Sequence, residues 1–401
     1  MSDLIDPKGG ALVIANARTP NGMPLDLCLE GGLISSFAPR DDQGSPGVER
    51  LDAGGRIALP GLIEAHTHLD KNFIGLPWVR NETTSVRAER IVNERRLKRE
   101  LGVDAGLQAE RQLALALAHG TTHVRSHVDV DPEVGLESIK GVIAAREAFR
   151  GRVDVEIVAF PQSGCLVWPG VAALMEEALR LGADVVGGID PGTIDRDPVA
   201  HLDLVFGLAA RHGKPVDIHL HEPDELGAFC LELMAERTRA LGMQGRVMAS
   251  HAYCLGALPE KRLATLLDTM AQAGVAVMTA GPPGMPAPSV QRLRAAGVGV
   301  CVGTDAVRGF FVPYGSGDMI ERLARVTERN GMSRDEDLEA AFGLITTESA
   351  AALGVPDYGL HVGAKADLVL LEAETLAQAL IEPPRDRIVI KGGAIVAGTP
   401  A

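Results

Sequence analysis

The 401-residue sequence is poor in aromatic residues, which make up 3% of it, and basic side chains are fewer than acidic ones. Its 39 lysines and arginines stand against 53 aspartates and glutamates, which gives a formal net charge of −14. Binding to phosphate backbones or anionic membranes requires concentrated positive charge, so neither a nucleic acid nor a membrane is expected as a partner. With so few aromatics, the core must consist mainly of Leu, Val, Ile and Ala.

Cysteine and long apolar runs are also scarce. The five cysteines are scattered without a CxxC pair, which suits reduced thiols rather than a disulfide framework or a zinc–thiolate site. No run of about 18 apolar residues occurs, so no transmembrane helix is expected. The opening residues MSDLIDPKGG lack a basic region followed by an apolar stretch, so no secretory signal is expected. These features predict a cytoplasmic protein.

The middle of the chain alternates short β-branched runs with longer segments of helical period. Eight such runs are predicted as strands: Ala58–Ile63, Thr121–Val130, Asp154–Phe160, Asp184–Ile189, Pro215–His219, Arg246–His251, Val275–Thr279 and Val298–Val302. The segments between them, such as Leu107–His119 and Pro198–His212, are rich in Ala, Leu, Glu and Arg and are predicted as helices. Eight parallel βαβ units favour a closed (β/α)8 TIM barrel over 58–358, with a doubly wound open sheet as the alternative.

The two ends of the chain differ from this middle. Residues 1–57 and 359–401 contain short strand-like runs separated by Gly, Asp and Pro, including Leu25–Glu30 and Arg387–Lys391. Neither end has enough strands for a stable sheet by itself. We therefore expect the termini to meet and to form one small composite β-domain, of sandwich type, beside the barrel.

Chemically active residues follow several of the predicted strands. These strand ends read His66-Thr-His68-Leu-Asp70, Pro161-Gln162, His219-Leu-His221-Glu222, Ser250-His251 and Gly303-Thr-Asp305. Side chains at the carboxyl ends of barrel strands converge on one mouth. Two imidazoles at alternate positions of an extended segment share a face and can hold a metal, and a third imidazole with the Asp305 carboxylate would complete the set.

The segment Leu59–Asp70 (LPGLIEAHTHLD) resembles the first-strand motif of the amidohydrolase superfamily. Later motifs resemble its cytosine deaminase branch: Ser126–Val130, Val158–Gln162, His219–Glu222, Ser250-His251 and Gly303–Asp305. The likeness covers nearly the whole chain, including the expected β-domain, and its motifs agree in order and spacing.

The resemblance implies a hydrolytic deaminase with one divalent metal ion. It implies His66, His68, His219 and Asp305 as metal ligands, Glu222, His251 and Asp305 as catalytic groups, and Gln162 as a substrate-binding group. His219 and His221 are both able to ligate, and the family match favours His219. The fourth strand ends at Asp190 without a bridging lysine, which favours one metal over two. Three imidazoles and a carboxylate suit Zn, Fe(II) or Mn.

Departures from the cytosine deaminase pattern bear on the substrate. Ala306 stands where a second Asp would follow Asp305, and the loop Ala280–Pro286 is unlike its counterpart. Phe311 is expected as an apolar cover over a flat ring, and Arg308 either reads a polar substituent or forms an ion pair elsewhere. These changes favour a bulkier or differently substituted ring, such as 5-methylcytosine, another aminopyrimidine or an s-triazine of the ammelide type, while cytosine itself stays among the candidate substrates.

Several further residues have open or structural interpretations. His221 and His127 are candidates for the pocket, and Lys71 either meets an anionic substrate group or, as we expect, is solvated. Asp190 is expected to cap the next helix, with a role in supporting the site residues as the alternative. The histidines at helix ends and in loops are expected to be solvated: His119, His201, His212 and His361.

Three functions compete. The leading hypothesis is hydrolytic deamination of a small amino-substituted N-heterocycle. An alternative is hydrolysis of a cyclic amide or of an N-alkyl-substituted s-triazine. A third, from another class, is a non-catalytic metal- or ligand-binding barrel, although such a barrel needs neither Glu222 nor His251. Formation of a homo-oligomer is left open by the sequence.

Overall fold

The computed structural model describes residues 11–38, 49–81 and 87–399. Residues 1–10, for which no secretory signal is expected, lie outside these ranges. The strands, numbered along the chain, are β1 (Leu12–Arg18), β2 (Pro24–Glu30), β3 (Leu33–Ala38), β4 (Glu49–Asp52), β5 (Ile57–Pro60), β6 (Leu62–Thr67), β7 (Thr121–Asp129), β8 (Asp154–Phe160), β9 (Val185–Ile189), β10 (Val216–Leu220), β11 (Val247–His251), β12 (Val275–Thr279), β13 (Val300–Val302), β14 (Leu368–Leu371), β15 (Arg387–Lys391) and β16 (Ala394–Ala397).

The α-helices follow the same numbering. They are α1 (Arg87–Glu100), α2 (Ala105–Ala118), α3 (Glu137–Ala148), α4 (Val171–Leu181), α5 (Pro198–His212), α6 (Asp224–Ala240), α7 (Glu260–Ala273), α8 (Val290–Ala295), α9 (Met319–Arg329), α10 (Asp335–Ala341), α11 (Thr347–Leu353) and α12 (Leu376–Ile381). Across the ranges that the structure covers, no helix combines the length and the apolar character needed to span a bilayer.

Strands β6 to β13 form a parallel sheet in sequence order that curls into a nearly closed barrel, which confirms the predicted fold class. The first and last strands meet through the backbone N–H of Asp305, which donates to the His66 carbonyl at 2.9 Å. Gly303 makes this approach possible, because a Cβ there would lie 2.6 Å from the His66 carbonyl oxygen. The buried Glu64 carboxylate adds a link by accepting from the Thr304 N–H at 2.9 Å.

The two ends of the chain build a second, mixed sheet, as predicted. Its strand order is β16-β15-β14-β5-β1-β2-β3, with β4 pairing beside β1. One strand prediction needs correction. Ala58–Ile63 was expected as one barrel strand, but Ile57–Pro60 pairs with Leu368–Leu371 in the terminal sheet, and the barrel strand is Leu62–Thr67. Gly61 separates the two strands and lies between the two sheets.

The core is predominantly aliphatic, as the low aromatic content requires. Its largest cluster lies between the barrel strands and the surrounding helices, and a separate cluster fills the terminal sheet. Helix ends follow local chemistry: the Asp197 carboxylate caps the start of α5, and Gly213 ends it in the left-handed conformation.

Candidate metal centre and active site

Four predicted ligands from three strand ends, those of β6, β10 and β13, meet at the mouth of the barrel. One donor atom from each of His66, His68, His219 and Asp305 lies within 4.8 Å of the others. The Asp305 Oδ1 lies 3.6 Å from His66 Nε2 and 3.5 Å from His68 Nε2. His68 Nε2 and His219 Nε2 are 3.4 Å apart. The β-barrel thus brings together residues that are separated by up to about 240 positions in the chain.

Hydrogen bonds on the far side of two rings determine which nitrogen faces the centre. The Ser250 hydroxyl donates to Asp217 Oδ1 at 2.6 Å, so its oxygen accepts from His66 Nδ1 at 3.0 Å. His68 Nδ1 donates to the His127 carbonyl at 3.0 Å. Both rings therefore turn an unprotonated Nε2 toward Asp305, the tautomer that ligates a metal.

Burial keeps these imidazoles in the neutral, ligand-competent form. It lowers the pKa of His66 to about 4, and it lowers the pKa of His68 and that of His219. Burial alone would raise the pKa of Asp305, but His251, His66 and His68 outweigh it and hold that pKa well below its usual range. The site therefore offers three lone pairs and one carboxylate at neutral pH.

The donor set fits a single divalent metal ion. Among the described residues, the buried His66 Nε2 has no hydrogen-bond partner, and the Nε2 atoms of His68 and His219 face each other at 3.4 Å. Facing lone pairs on closely spaced imidazoles repel each other unless a cation lies between them. Three nitrogens and one oxygen also leave room for a water molecule, as in catalytic zinc and iron sites.

Glu222 lies beyond β10 and is almost completely buried. Its Oε1 accepts from the backbone N–H groups of Gly192 and Thr193, at 2.6 and 2.7 Å, and its Oε2 accepts from the Cys230 thiol at 3.1 Å. Burial is the main cause of a raised pKa for Glu222, and the nearby Asp190 adds to it. A carboxyl group with a raised pKa is suited to carrying a proton near neutrality.

His251 and His221 stack on each other beside the metal ligands. Their ring centroids are 4.4 Å apart, and the His251 ring lies 5.0 Å from that of His66. His251 and Asp305 both have left-handed backbones, with φ of 74° and 65°. Such conformations cost non-glycine residues free energy and often occur at functional sites, where the surrounding structure enforces them.

Asp190 does not cap a helix, contrary to expectation. Its Oδ1 accepts from the His221 backbone N–H at 2.7 Å, and its Oδ2 lies 3.0 Å from His221 Nδ1. The cap of the following helix is instead Asp197, because an intervening turn separates β9 from α5. Asp190 thus orients a ring of the mouth, and His221 stands there as part of a stacked pair.

Gln162 lies in a buried, charged cluster beside the mouth. Its Oε1 accepts from Lys71 Nζ, and its Nε2 donates to Glu94 Oε1 at 2.8 Å. Lys71 is 5% exposed and donates to Asp129 Oδ1 at 2.6 Å, so the expectation that it is solvated was wrong. The carboxylates of Asp129 on β7 and Glu94 on α1 stabilise the charge of Lys71 away from water. Both partners are distant in the sequence, so the residues next to Lys71 do not predict its burial.

The loop after β13 places the predicted ring-binding residues at the rim. Phe311 is partly exposed, its ring centroid 6.3 Å from that of Phe310 and 6.0 Å from the guanidinium carbon of Arg90. Arg308 is exposed, and its carbonyl accepts from the Phe73 N–H. Ala306 follows Asp305 directly and is half-buried.

Two other histidines take places that the sequence left open or misassigned. His127 is fully buried beneath the metal ligands, with its ring 4.0 Å from that of His66 and 4.5 Å from that of His219. His201 was expected to be solvated but is fully buried, and its Nδ1 lies 2.6 Å from Asp195 Oδ2. Helix α5 turns this residue inward against β9, so its position in a helix did not imply exposure.

Sequence reasoning missed several groups at the site. Phe160 stacks on the His219 ring at 4.2 Å, Ser250 and Asp217 orient His66, and Glu94 holds Gln162. Phe160 and Ser250 lie within the motifs Val158–Gln162 and Ser250-His251, so their positions carried a usable signal. Glu94 carried none, because it lies on α1, outside the regular barrel units.

Comparison with known proteins agrees with this arrangement. The model of the amidohydrolase family matches residues 49–397. The N-isopropylammelide isopropyl amidohydrolase of Pseudomonas sp. (strain ADP) is 33% identical over 364 residues, covering 87% of this chain and 88% of that protein.

Two solved structures share the whole architecture. The N-isopropylammelide isopropylaminohydrolase of Burkholderia multivorans is 47% identical, with a TM-score of 0.94 and coverage of 98% and 99% of the two chains. The 5-methylcytosine deaminase of Klebsiella pneumoniae, liganded with 5-fluorocytosine, is 28% identical, with a TM-score of 0.85 and coverage of 98% of each chain.

The chain therefore belongs to the amidohydrolase family. It is a metal-dependent hydrolase that acts on carbon–nitrogen bonds other than peptide bonds.

Proposed function

We propose that the protein hydrolyses the bond between a ring carbon and an exocyclic, N-alkylated nitrogen of an s-triazine of the ammelide type. This is the alternative raised by the sequence, and it now takes precedence over deamination of a pyrimidine. The observation that carries it is the 47% identity, over 98% of this chain, to an enzyme that acts on N-isopropylammelide. The replacement of a second aspartate by Ala306 agrees with a substrate other than cytosine.

The reaction adds water to the ring carbon and expels an amine. The water oxygen forms a bond to the carbon, the carbon–nitrogen bond to the alkylamine breaks, and the ring keeps a carbonyl. His66, His68, His219 and Asp305 would hold a zinc or iron ion, which would supply Lewis acidity and lower the pKa of a water molecule toward neutrality.

The protein's own residues handle the protons. Asp305 accepts a proton from the attacking water, and His251 orients that water from the adjacent strand end. Glu222, with its raised pKa, delivers its proton to a ring nitrogen. When the tetrahedral carbon collapses, the proton held by Asp305 passes to the departing amine, and Glu222 regains a proton from the hydroxyl group that becomes the ring carbonyl. The hydrogen bonds from Gly192 and Thr193 keep its carboxyl group in place for both transfers.

Other residues bind the ring. Gln162 pairs with the N–C=O edge of the substrate, since a carboxamide offers both a donor and an acceptor. Phe311 covers the flat ring from the rim, His221 lines the pocket beside His251, and Arg308 lies where a polar substituent would pass.

A metal-loaded preparation tests the proposal directly. N-isopropylammelide, ammelide and 5-methylcytosine would be offered separately in ¹⁸O-labelled water, and products would be identified by mass spectrometry. We expect isopropylamine from the first compound, with one ¹⁸O atom in the ring product. Release of no amine from any of the three compounds would contradict the assignment.

A second candidate function is deamination of a 5-methylcytosine-like pyrimidine. It is favoured by the shared fold with the Klebsiella deaminase, at 28% identity and a TM-score of 0.85. Ammonia from 5-methylcytosine at a higher kcat/KM than isopropylamine from N-isopropylammelide would favour this candidate.

A further inference from the structure

We propose that Glu94 is a positioning residue that, together with Lys71, fixes the orientation of the Gln162 carboxamide and thereby selects the edge of the substrate ring. The inference rests on the proposed function, since Gln162 is the group assigned to the ring edge. It concerns a residue of α1, a helix outside the regular barrel units.

A negatively charged and a positively charged side chain, Glu94 and Lys71, form hydrogen bonds with the two ends of the Gln162 carboxamide. Gln162 Nε2 donates to Glu94 Oε1 at 2.8 Å, and Gln162 Oε1 accepts from Lys71 Nζ. An ammonium group can only donate hydrogen bonds, and a carboxylate can only accept them. A flipped amide would set its oxygen against the carboxylate and its N–H group against the ammonium, so one orientation is enforced.

Glu94 and Lys71 are in turn kept in place by burial and by neighbouring charged groups. Glu94 and Lys71 are 2% and 5% exposed, and Lys71 Nζ also binds Asp129 Oδ1 at 2.6 Å and lies 3.7 Å from Glu94 Oε1. Lys98 pairs with the other oxygen of Asp129 at 3.3 Å. Hydrogen bonds that involve charged groups are stronger than neutral ones, and low exposure limits competition from water.

A fixed amide has a direction that the substrate must match. One N–H of Gln162 and one lone pair of its oxygen remain for a ligand, with the nitrogen on the Glu94 side and the oxygen on the Lys71 side. A ring edge with acceptor and donor in the complementary order forms both hydrogen bonds. The reversed order leaves polar groups unpaired and is strongly disfavoured.

The decisive variant is Glu94→Gln, which keeps the shape of the side chain and allows Gln162 to flip. Its matched control is Glu100→Gln on the same helix, where the exposed carboxylate pairs only with Arg96 among the described residues. Calorimetry would measure the binding of two triazines to zinc-loaded protein, one with two ring carbonyls and one with amino groups at the same positions.

We expect Glu94→Gln to weaken the preference for one triazine over the other, because a hydrogen bond to a charged group is lost. The ratio of the larger dissociation constant to the smaller should fall by about tenfold or more. The control should keep the wild-type ratio. Weakening of both ligands by the same factor would indicate a merely structural role and would overturn the inference, as would an unchanged ratio.

A second measurement needs no ligand and no variant that folds poorly. In wild-type protein labelled with ¹⁵N-glutamine, the Gln162 carboxamide, identified by its absence in Gln162→Asn, should exchange its hydrogens slowly with water. Exchange as fast as that of exposed glutamines would overturn the inference even if the triazines are turned over. Slow exchange without turnover of any ring compound would instead refute the proposed function and leave the amide orientation supported.

Discussion

At the scale of single residues, the chemistry depends on which nitrogen of each imidazole is protonated. Ser250 and Asp217 set this for His66, and the carbonyl of His127 sets it for His68. The backbone conformations of His251 and Asp305 are costly and are maintained by the packing around them. The reactive groups are thus oriented before any ligand arrives, which is how a site stabilises a transition state without reorganising.

Glu222→Gln tests the assignment of the proton carrier. We expect turnover to fall by roughly 10² to 10⁴-fold, because general acid–base catalysis contributes about that much. Bound metal, measured by mass spectrometry of the metal content, should be unchanged, since Glu222 is not among the clustered donors. Glu225→Gln, an exposed residue of α6 paired with Arg262, serves as the control and should retain activity. Normal turnover in Glu222→Gln would remove this residue from the mechanism.

At the scale of structural elements, an ion pair joins the terminal sheet to the barrel. Arg387 of β15 is buried and binds both oxygens of Asp318, at 2.9 and 2.5 Å, while it also donates to the His119 carbonyl. Asp318 in turn caps α9 by accepting from the Ile320 N–H. The pair therefore couples the position of the terminal sheet to a helix of the barrel.

Arg387→Ala should lower the free energy of unfolding by about 3–5 kcal/mol, because it leaves the buried Asp318 carboxylate without its partner. Denaturation in urea would measure the loss. Arg385→Ala, at an exposed position two residues earlier, should change the free energy of unfolding by no more than about 0.5 kcal/mol. Equal stabilities of the two variants would show that the pair does not stabilise the contact between the terminal sheet and α9.

A second ion pair, between side chains of β7 and β8, predicts that the free energy of unfolding depends on pH. Glu156 Oε2 accepts from Arg125 Nε at 2.9 Å. Burial alone would raise the pKa of Glu156, but Arg125 and His123 together lower it to about 2. Glu156 in the folded state thus binds a proton less readily than Glu156 in the unfolded chain, where its pKa is near 4.5.

A group with a lowered pKa stabilises the fold above its unfolded pKa and loses that contribution as the pH falls toward its folded pKa. Glu156→Gln should therefore be less stable than the wild type at pH 5 and above, and the difference should shrink by about 3 kcal/mol between pH 4.5 and 2. Urea denaturation at a series of pH values measures this. Glu177→Gln, at an exposed site of α4, serves as the control for the substitution itself. A constant difference for Glu156→Gln would refute the assignment.

For the molecule as a whole, a metal held by these four ligands would join three strand ends, those of β6, β10 and β13. The aliphatic core between strands and helices does not depend on the metal, so the metal-free protein should remain folded. A metal that binds only the native state raises stability by mass action, by about 2.7 kcal/mol at a free concentration of 100 times Kd.

Removal of the metal with a chelator should accordingly lower Tm, and added zinc should restore it, with circular dichroism unchanged below the transition. In Asp305→Asn the shift should be smaller, because one charged ligand is lost. Scanning calorimetry of both proteins, with and without zinc, measures the effect. A wild-type Tm that does not respond to zinc would contradict a metal centre built from these residues.

Much of this architecture was predictable because it depends on local patterns. Asp154–Phe160, Pro198–His212 and Val275–Thr279 were predicted with the bounds that the structure has, since period and capping residues define them. The strand-end positions of His66, His219 and Asp305 followed from the same pattern, because parallel strands carry their carboxyl ends to one mouth.

Local patterns in the sequence specify the order of strands and helices and the chemical type of the residues at each strand end. Three features depend instead on how distant elements pack: Lys71 is buried, Asp190 orients His221, and Glu94 holds Gln162 across 68 positions of the chain. Periodicity and capping are local, whereas the partner of a buried charge is chosen by distant elements that pack against it. Those partners set the orientation of the groups that meet the substrate.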